Sequence, residues 1–346
     1  MKKNVRFFVS ALAFILLLWA VLVPVQRVLA RKSLEGPWDM TNKIGGFYNE
    51  QENQFDVMFF GPSHAYAAFS PLVIWEETGI KSYVFATQQQ PLWATYTYIK
   101  EALKTQSPAL IVVECRMAFG DKEYYMEGND DKAVTYPYMD DLPLSWNKVE
   151  LALESAPGLE DRLGLLFNFM MYHSRWSDLH RSDLTFRRAQ ARDPYKGFVM
   201  LEPQQTPQPR PAIETVTGRT PLLEKNQRWL EEIIRLCREE GIELWLVKSP
   251  SNLEPEEKAM LNTVEELARQ NNVPFHDFNG DYGDIGLNES MFYDAHHLDA
   301  VGADRFSRYF ANALALARPN LKTEPGDPVW AADLELYKAA MEELTG

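Results

Sequence analysis

Residues 55–64, which read FDVMFFGPSH, constrain the fold of this chain more than any other stretch. Their apolar run ends abruptly at Gly61-Pro62, which is typical of a buried strand that runs into a tight turn. A predicted helix begins soon afterwards at Pro71, because proline is favoured at the first helical position. Open parallel sheets built from such strand–turn–helix units carry their chemistry in the loops after the strands. We therefore predict that Ser63 lies at the functional edge of a parallel sheet.

Strand-like and helix-like segments alternate over most of the chain. Apolar and β-branched runs predict strands at 55–60, 81–86, 109–113, 242–247 and 273–278. Apolar periodicity and end signals predict helices at 71–78, 92–104, 222–240, 254–271 and 300–317. This alternation favours an α/β fold in which a parallel sheet of about five strands is flanked by helices.

The alternation lapses between about 117 and 215, where the sequence offers no convincing strand of this kind. Residues 148–190 look helical, and 203–211 read as a proline-rich connector. We interpret the region as a largely helical insertion over the functional edge of the sheet. A packed helical subdomain with no direct role is the alternative. The α/β domain is then expected to span 53–320, followed by an acidic, partly helical tail at 321–346.

The N-terminus predicts a membrane anchor. Basic residues within 2–6 precede an uncharged apolar run at 7–25, and about 20 apolar residues span a bilayer as a helix. The positive-inside rule places the short tail in the cytoplasm and the rest of the chain outside. A cleaved signal ending at 28–30 is the alternative. We prefer an uncleaved anchor at 1–30, because Arg27 separates the long apolar run from that cleavage site, with a polar linker at 31–52.

Charge and cysteine content exclude some classes of function. The formal net charge is −14, whereas proteins that bind nucleic acids need clustered Lys and Arg. Cys115 and Cys237 are the only cysteines, so the sequence gives no disulfide framework. Each lies in an apolar run and is predicted to be a buried free thiol.

A serine near the start and an Asp-x-x-His near the end suggest one catalytic group. A serine hydroxyl is a weak nucleophile until a base takes its proton, and a carboxylate holds the histidine base in the correct tautomer. Ser63 follows the first predicted strand, and Asp294 and His297 follow the last one. This order predicts a Ser-His-Asp triad for acyl transfer. The adjacent His296 is the weaker candidate, because only His297 has the Asp-x-x-His spacing.

This arrangement resembles the SGNH/GDSL hydrolase superfamily, whose serine follows the first strand and whose Asp-x-x-His lies near the C-terminus. The similarity covers about 55–113 and 222–317. Its motifs here are Gly61-Pro62-Ser63-His64 and Asp294-Ala295-His296-His297-Leu298. The resemblance implies an SGNH-like, flavodoxin-like sheet and serine esterase or O-acyltransferase chemistry, for which we expect no cofactor.

Given its single N-terminal anchor, the chain looks most like the membrane-anchored extracytoplasmic members, which include proteins of lipoteichoic acid D-alanylation and of alginate O-acetylation. Such proteins are implied to work beside a multipass membrane-bound O-acyltransferase and to move acyl groups onto or off surface glycans. We therefore expect a cell-surface polysaccharide or glycan as a partner, and acetyl as the acyl group. Transfer to a glycan hydroxyl and hydrolysis by water both remain open.

The chain departs from the superfamily at the oxyanion hole. The superfamily has a glycine after the second strand and an asparagine after the third, whereas this chain has Thr87-Gln88-Gln89 and Glu114-Cys115-Arg116. Candidate donors or substrate-binding groups are the Ser63 N–H and the side chains of Gln88, Gln89, Arg116, His64, Lys248 and Asn252. Each of these side chains also has a purely structural interpretation.

The residues also allow two other interpretations. Asp277-x-Asn279-x-Asp281 is loosely similar to a calcium loop, but the expected glycine and final glutamate are missing, and adjacent histidines such as His296 and His297 rarely face one zinc ion. We therefore predict no metal site. The rival function is a non-catalytic accessory protein that binds the glycan or the acyltransferase. The unusual oxyanion residues favour that rival, and the intact serine, histidine and aspartate oppose it.

Overall fold

A five-stranded parallel sheet forms the centre of the protein. The computed structural model describes residues 2–125, 137–204 and 207–346, so parts of the predicted insertion and of its proline-rich connector lie outside the described residues. The strands are β1 (Val57–Phe60), β2 (Ser82–Val84), β3 (Leu110–Glu114), β4 (Glu243–Lys248) and β5 (Phe275–Asp277). Their order, β2-β1-β3-β4-β5, is that of flavodoxin-like sheets, which confirms the predicted fold class.

Within the described residues, helices precede, connect and follow the strands. They are α1 (Lys2–Leu29), α2 (Met40–Phe47), α3 (Ser63–Tyr66), α4 (Pro71–Thr78), α5 (Leu92–Ala102), α6 (Trp146–Ser155), α7 (Leu159–Leu166), α8 (Asn168–Tyr172), α9 (Arg181–Thr185), α10 (Glu224–Glu239), α11 (Pro255–Gln270), α12 (Tyr282–Ile285), α13 (Ala300–Ala317) and α14 (Pro328–Thr345). The predicted helices of the α/β domain correspond to α4, α5, α10, α11 and α13, and their ends agree closely.

Helices cover both faces of the sheet. Successive residues of a strand point to opposite faces, so neighbouring residues of β1 show what packs on each side. Phe59 points to the face where its ring lies 4.5 Å from that of Phe69 and 5.6 Å from that of Phe310 in α13. The next residue, Phe60, contacts Phe85 on the other face, and Phe85 packs on Tyr98 of α5. Strands buried on both faces read as continuous apolar runs, as β1 and β3 do.

The carboxyl ends of the strands meet at one edge of the sheet. Phe60 at the end of β1 is in register with Val113, Glu114 at the end of β3 with Val247, and Lys248 at the end of β4 with Asp277. The polar residues that end β3 and β4 therefore lie next to each other and next to the turn that carries Ser63.

The segments predicted as a polar linker and as an acidic tail both pack into the core. The predicted linker contains α2, whose Met40, Ile44 and Phe47 share one face and are buried. The predicted acidic tail contains α14, which packs against α4 and buries Trp330 and Tyr337. This packing was not predicted, because the apolar residues of each segment recur only at helical spacing and the average composition of the segment is polar.

One helix, α1, is long and apolar enough to cross a membrane over Asn4–Leu29. Its C-terminal end is fixed to the rest of the chain. Lys32 Nζ donates to the carbonyl oxygens of Arg27 and Ala30, each at 2.9 Å. Arg175 donates to the carbonyls of Leu29 and Ala30 at 2.8 and 2.9 Å. Asp183 pairs with both cations, at 3.2 and 3.1 Å, and completes this clamp on the helix end.

Candidate active site

Ser63 is the first residue of the one-turn helix α3, directly after β1. The turn depends on Gly61, whose φ of 144° is rarely adopted by other residues and whose added Cβ would lie 3.0 Å from the carbonyl oxygen of Glu114. As the first helical residue, Ser63 has a backbone N–H that no carbonyl within the helix can accept. The sequence therefore presents both the hydroxyl and a free N–H at the edge of the sheet.

The other two predicted triad residues lie in the loop between β5 and α13. The loop is closed by an antiparallel bridge between Phe292 and Leu298 and by the Tyr293 N–H, which donates to the His297 carbonyl at 2.9 Å. Within it, Asp294 Oδ1 accepts the backbone N–H groups of His296 and His297 at 2.8 and 2.9 Å. These two backbone hydrogen bonds hold the Asp294 carboxylate in place independently of its contact with the His297 ring.

The structure brings Ser63, His297 and Asp294 into one hydrogen-bonded series. His297 Nε2 lies 2.7 Å from Ser63 Oγ, and His297 Nδ1 lies 2.9 and 3.0 Å from the two carboxylate oxygens of Asp294. Burial would raise the pKa of Asp294, but the hydrogen bond and charge of His297 and the two backbone N–H groups lower it to about 2. Asp294 is therefore ionised at neutral pH and orients the ring so that Nε2 faces the serine.

Tyr66 is a site residue that the sequence analysis missed. Its buried hydroxyl lies next to the side chains of Ser63 and Gln88. Burial raises its pKa by more than these two side chains lower it, so the hydroxyl stays protonated. Ser63 and Tyr66 are three residues apart on one helical turn, and this spacing places side chains on the same face. The Ser-x-x-Tyr spacing at a helix start was thus the available signal. Of the two candidate glutamines, Gln88 reaches this group, whereas Gln89 is exposed on the turn beside it.

A second acid–base cluster lies beneath the triad. The Lys248 ammonium is fully buried and donates to Glu114 Oε1 at 2.9 Å, to His64 Nδ1 at 3.1 Å and to the Ser249 carbonyl at 3.0 Å. Glu114 also accepts the Arg116 N–H at 2.8 Å and the Ser249 hydroxyl at 3.2 Å. All three ammonium protons are therefore used within the protein, and Lys248 supports the site from below.

His64 is held neutral by this cluster. Burial and then the positive charge of Lys248 lower its pKa well below the ordinary value, and His297 and Arg116 act in the same direction. Its ring centroid lies 5.0 Å from that of His297. Because Lys248 donates to Nδ1, the neutral ring carries its proton on Nε2. His64 thus packs beside His297 as a neutral ring.

The remaining candidates lie around the site without contacting the serine. Arg116 pairs with Glu257 at 2.7 Å. The pKa of His296 is lowered first by the partial burial of its ring and second by the positive charge of Arg116. Asn252 anchors the loop of Asp294 and His297, because its N–H donates to the Ala295 carbonyl at 2.9 Å, while its side chain donates to Pro209.

The acidic residues of the calcium-like stretch have protein partners. Asp277 accepts the side chain of Lys258 at 2.7 Å and that of Asn279, also at 2.7 Å. Across 2–125, 137–204 and 207–346, no group of three or more His, Cys, Asp or Glu side chains is arranged to hold a metal ion. Cys115 and Cys237 are both free and buried.

Comparison with known proteins gives remote structural likenesses only. No protein-family model matches the chain, and no curated protein is similar to it in sequence. Among solved structures, it is similar to a Bacteroides fragilis NCTC 9343 protein provisionally described as an acylhydrolase. That match has 13% identity and a TM-score of 0.38, over 79% of this chain and 94% of the other. A gut microbial diltiazem-metabolizing enzyme matches with 15% identity and a TM-score of 0.28, over 76% of this chain and 47% of its own. At these values, function must be judged from the site itself.

Proposed function

We propose that this chain is a membrane-anchored serine enzyme that moves an acyl group through an ester on Ser63. The supporting observation is the series from Ser63 Oγ to His297 Nε2 at 2.7 Å and from His297 Nδ1 to Asp294 at 2.9 and 3.0 Å. Ser63 and His297 are 234 residues apart, so the whole α/β domain must fold to bring nucleophile and base within hydrogen-bond reach.

The chemistry balances as a two-step acyl transfer. In the first step Ser63 Oγ bonds to the ester carbonyl carbon while its proton moves to His297 Nε2. The bond to the departing alcohol then breaks, and that alcohol oxygen takes the proton from His297. In the second step water or an acceptor hydroxyl bonds to the acyl carbon while its proton moves to His297 Nε2. The bond between the acyl carbon and Ser63 Oγ then breaks, and Oγ takes the proton from His297. Asp294 stays ionised and stabilises the imidazolium in both steps.

Negative charge on the carbonyl oxygen needs donors, and two groups are suitably placed. Ser63 is the first residue of helix α3, so no carbonyl within that helix can accept its backbone N–H. The Tyr66 hydroxyl already contacts Ser63 and is kept protonated by burial. Each preorganised donor is worth about 2.7–4 kcal/mol to a transition state. We assign these groups to the role that a glycine and an asparagine fill in the SGNH superfamily.

The location and the substrate belong to the same proposal. The apolar helix α1 and the basic residues in its first turns support an anchor with the domain outside the cytoplasm. The resemblance to membrane-anchored SGNH members supports a cell-surface glycan as acyl acceptor or donor, acetyl as the acyl group, and a multipass O-acyltransferase as a neighbour. We assign the anchor to 1–30, the catalytic domain to 53–320 and the insertion to 117–215, with α2 and α14 as integral parts of the folded body.

The test is covalent labelling of Ser63 combined with ester hydrolysis. Full-length protein in lipid nanodiscs is treated with a fluorophosphonate probe and, separately, with p-nitrophenyl acetate. Wild type should be labelled at Ser63 and release nitrophenol, and Ser63→Ala should do neither. Ser177→Ala is the matched control, because Ser177 is exposed on the insertion, and it should behave as wild type. Folded wild type that is not labelled would refute the serine mechanism and favour the accessory protein.

A further inference from the structure

The position of α1 in a bilayer can be derived from its charges. Residues 7–26 are 20 uncharged residues between Arg6 and Arg27. At about 1.5 Å per residue they extend about 30 Å, which is the thickness of the hydrocarbon core. Arg27 therefore lies at the interface on the side of the folded body. Residues one or two turns earlier, such as Trp19 and Val23, lie within the adjoining leaflet.

Part of the helical insertion lies beside this end of α1. Helix α8 packs directly on α1, and so does the turn at His173–Ser177. This part of the chain exposes large apolar side chains: Phe169 is 39% exposed, Met170 43% and Trp176 74%. Apolar groups beside a membrane-spanning helix, with a tryptophan at the rim, are typical of segments that enter the interface. The insertion thus extends the membrane-contacting surface of the protein.

A cleft of about 770 Å³ opens between α1 and this part of the insertion. We call it the outer cleft. Trp19, Leu22 and Val23 line it from α1, and Phe169 and Met170 line it from α8. Its volume lies within the range of about 300–1,000 Å³ that is usual for ligand sites. Because its α1 wall lies at leaflet depth, the outer cleft opens towards hydrocarbon.

A second, more polar space of about 430 Å³ continues from the outer cleft towards the active site. We call it the inner cavity. Arg31, Thr41, Asp140 and Asp141 line both spaces, so the two adjoin. Burial raises the pKa of Asp140 to about 7 and that of Asp141 to about 6, and the Arg31 side chain lines the same passage.

The inner cavity is lined by two residues that neighbour the site of Ser63, namely Gln88 and Trp38. Gln88 lines the cavity and lies next to the Tyr66 hydroxyl, which is also next to the Ser63 side chain. Trp38 lines it too, and the Trp38 ring lies 6.1 Å from that of Tyr66 and 6.5 Å from that of Tyr293 beside Asp294. Carboxyl, amide and hydroxyl groups around an aromatic ring suit a head that is rich in hydroxyl groups.

We propose that the outer cleft and inner cavity form one binding site for a bilayer amphiphile, with its alkyl chain in the outer cleft and its hydroxyl-bearing head in the inner cavity. The inference rests on the proposed function in one respect: an acyl ester on that head would be the group that Ser63 attacks. The acyl group then passes to the serine, the head leaves with a hydroxyl whose proton came from His297, and water releases the acid. The substrate thus enters from the membrane, with its chain still in contact with lipid.

Two matched esters and two matched variants test this site. The esters are acetylated dodecyl maltoside and acetylated methyl maltoside, which share head and ester and differ only in the chain. The variants are Val23→Trp, which fills the outer cleft, and Val21→Trp, which adds the same bulk to an α1 side chain that does not line the cleft. All are measured with full-length protein in phosphatidylglycerol–phosphatidylcholine nanodiscs. A dodecyl maltoside with a photoreactive diazirine in its chain reports binding without any need for turnover.

We expect wild type to favour the dodecyl ester over the methyl ester by about tenfold or more in kcat/KM, because the chain adds apolar contacts. Val23→Trp should bring that ratio towards one, and Val21→Trp should leave it as in wild type. Photolabelling should include Phe169, Met170 and the acids at 140–141, and should fall only in Val23→Trp.

Two results would overturn the site: a chain-length ratio near one in wild type, or equal effects of the two tryptophan variants on both the ratio and the labelling. If neither ester is cleaved but labelling of the cleft falls in Val23→Trp alone, the amphiphile site stands and the serine mechanism fails. The two hypotheses therefore fail in distinguishable ways.

Discussion

Two acid–base clusters lie side by side at the carboxyl edge of the sheet, and each combines a carboxylate, a histidine and a third polar group. In one, Ser63, His297 and Asp294 come from a turn and a loop, and the Asp294 side chain is 43% exposed. In the other, Glu114 and Lys248 end β3 and β4, His64 lies on α3 next to Ser63, and all three are buried. The two histidine rings are only 5.0 Å apart.

The difference between the clusters follows from partner and burial. His297 faces an ionised carboxylate, which favours a positive charge on its ring during a reaction. His64 faces an ammonium in a buried site, which disfavours that charge. One cluster can therefore accept and return a proton, whereas the other holds its protons in place and supports the loops above it. The following variants separate these two roles.

Asp294→Asn should have the largest effect, because it removes the charge that holds the correct tautomer of His297. By analogy with triad enzymes, kcat should fall by about 10⁴-fold, or about 5.4 kcal/mol. Hydrolysis of p-nitrophenyl acetate by full-length protein measures this. Asp284→Asn, at an exposed aspartate of the same region, should be neutral. A loss of less than tenfold would show that Asp294 does not act with His297.

Glu114→Gln should chiefly reduce stability, since it leaves the Lys248 charge buried without its counter-ion. Loss of one partner of a buried pair costs about 3–5 kcal/mol. Denaturant unfolding of the variant measures this loss. The double variant Glu114→Gln with Lys248→Met removes both charges and should be more stable than Glu114→Gln alone. If the double variant were no more stable than Glu114→Gln alone, the two side chains would not stabilise the protein as an ion pair.

Tyr66→Phe should lower activity while the fold is kept. Removal of one oxyanion donor costs about 2.7–4 kcal/mol, or about 10²–10³-fold in kcat. Tyr98→Phe is the control, because Tyr98 is equally buried and its hydroxyl donates to the Tyr138 carbonyl at 3.2 Å, away from the serine. Similar kcat values for the two variants would remove Tyr66 from the mechanism.

The smallest expected effect concerns pH. The folded-state pKa of His64 is lowered, so its contribution to stability is present above its unfolded pKa and is lost as the pH falls. Below about pH 6.5 this loss has a limiting slope of about 1.4 kcal/mol per pH unit. His64→Asn keeps an acceptor for Lys248 and removes the titration. Unfolding measured from about pH 7 to about pH 5 should therefore show a shallower slope in the variant. Parallel slopes would contradict a neutral, buried His64.

The predictability of these features depended on how local their signals were. The sheet, and the Ser63, Asp294 and His297 positions, follow from local patterns whose order along the chain is informative. The Glu114–Lys248 pair needs the order of β3 and β4 in the sheet, which no local pattern contains. Tyr66 had a local signal in its spacing from Ser63. Helix α2 was missed, and the packing of the partly helical tail against the core was not predicted, because a single apolar face inside polar sequence gives little average hydrophobicity.

The clamp formed by Lys32, Arg175 and Asp183 on the end of α1 limits how far from the membrane Ser63 can act. It joins the helix and the folded body without a flexible tether, so in a bilayer Ser63 would stay at a set height above the lipid surface. Such a protein diffuses only in the plane of the membrane. Esters that diffuse in the same leaflet then meet it at a high effective concentration, whereas a polymer that extends far from the membrane must bend back to reach the serine.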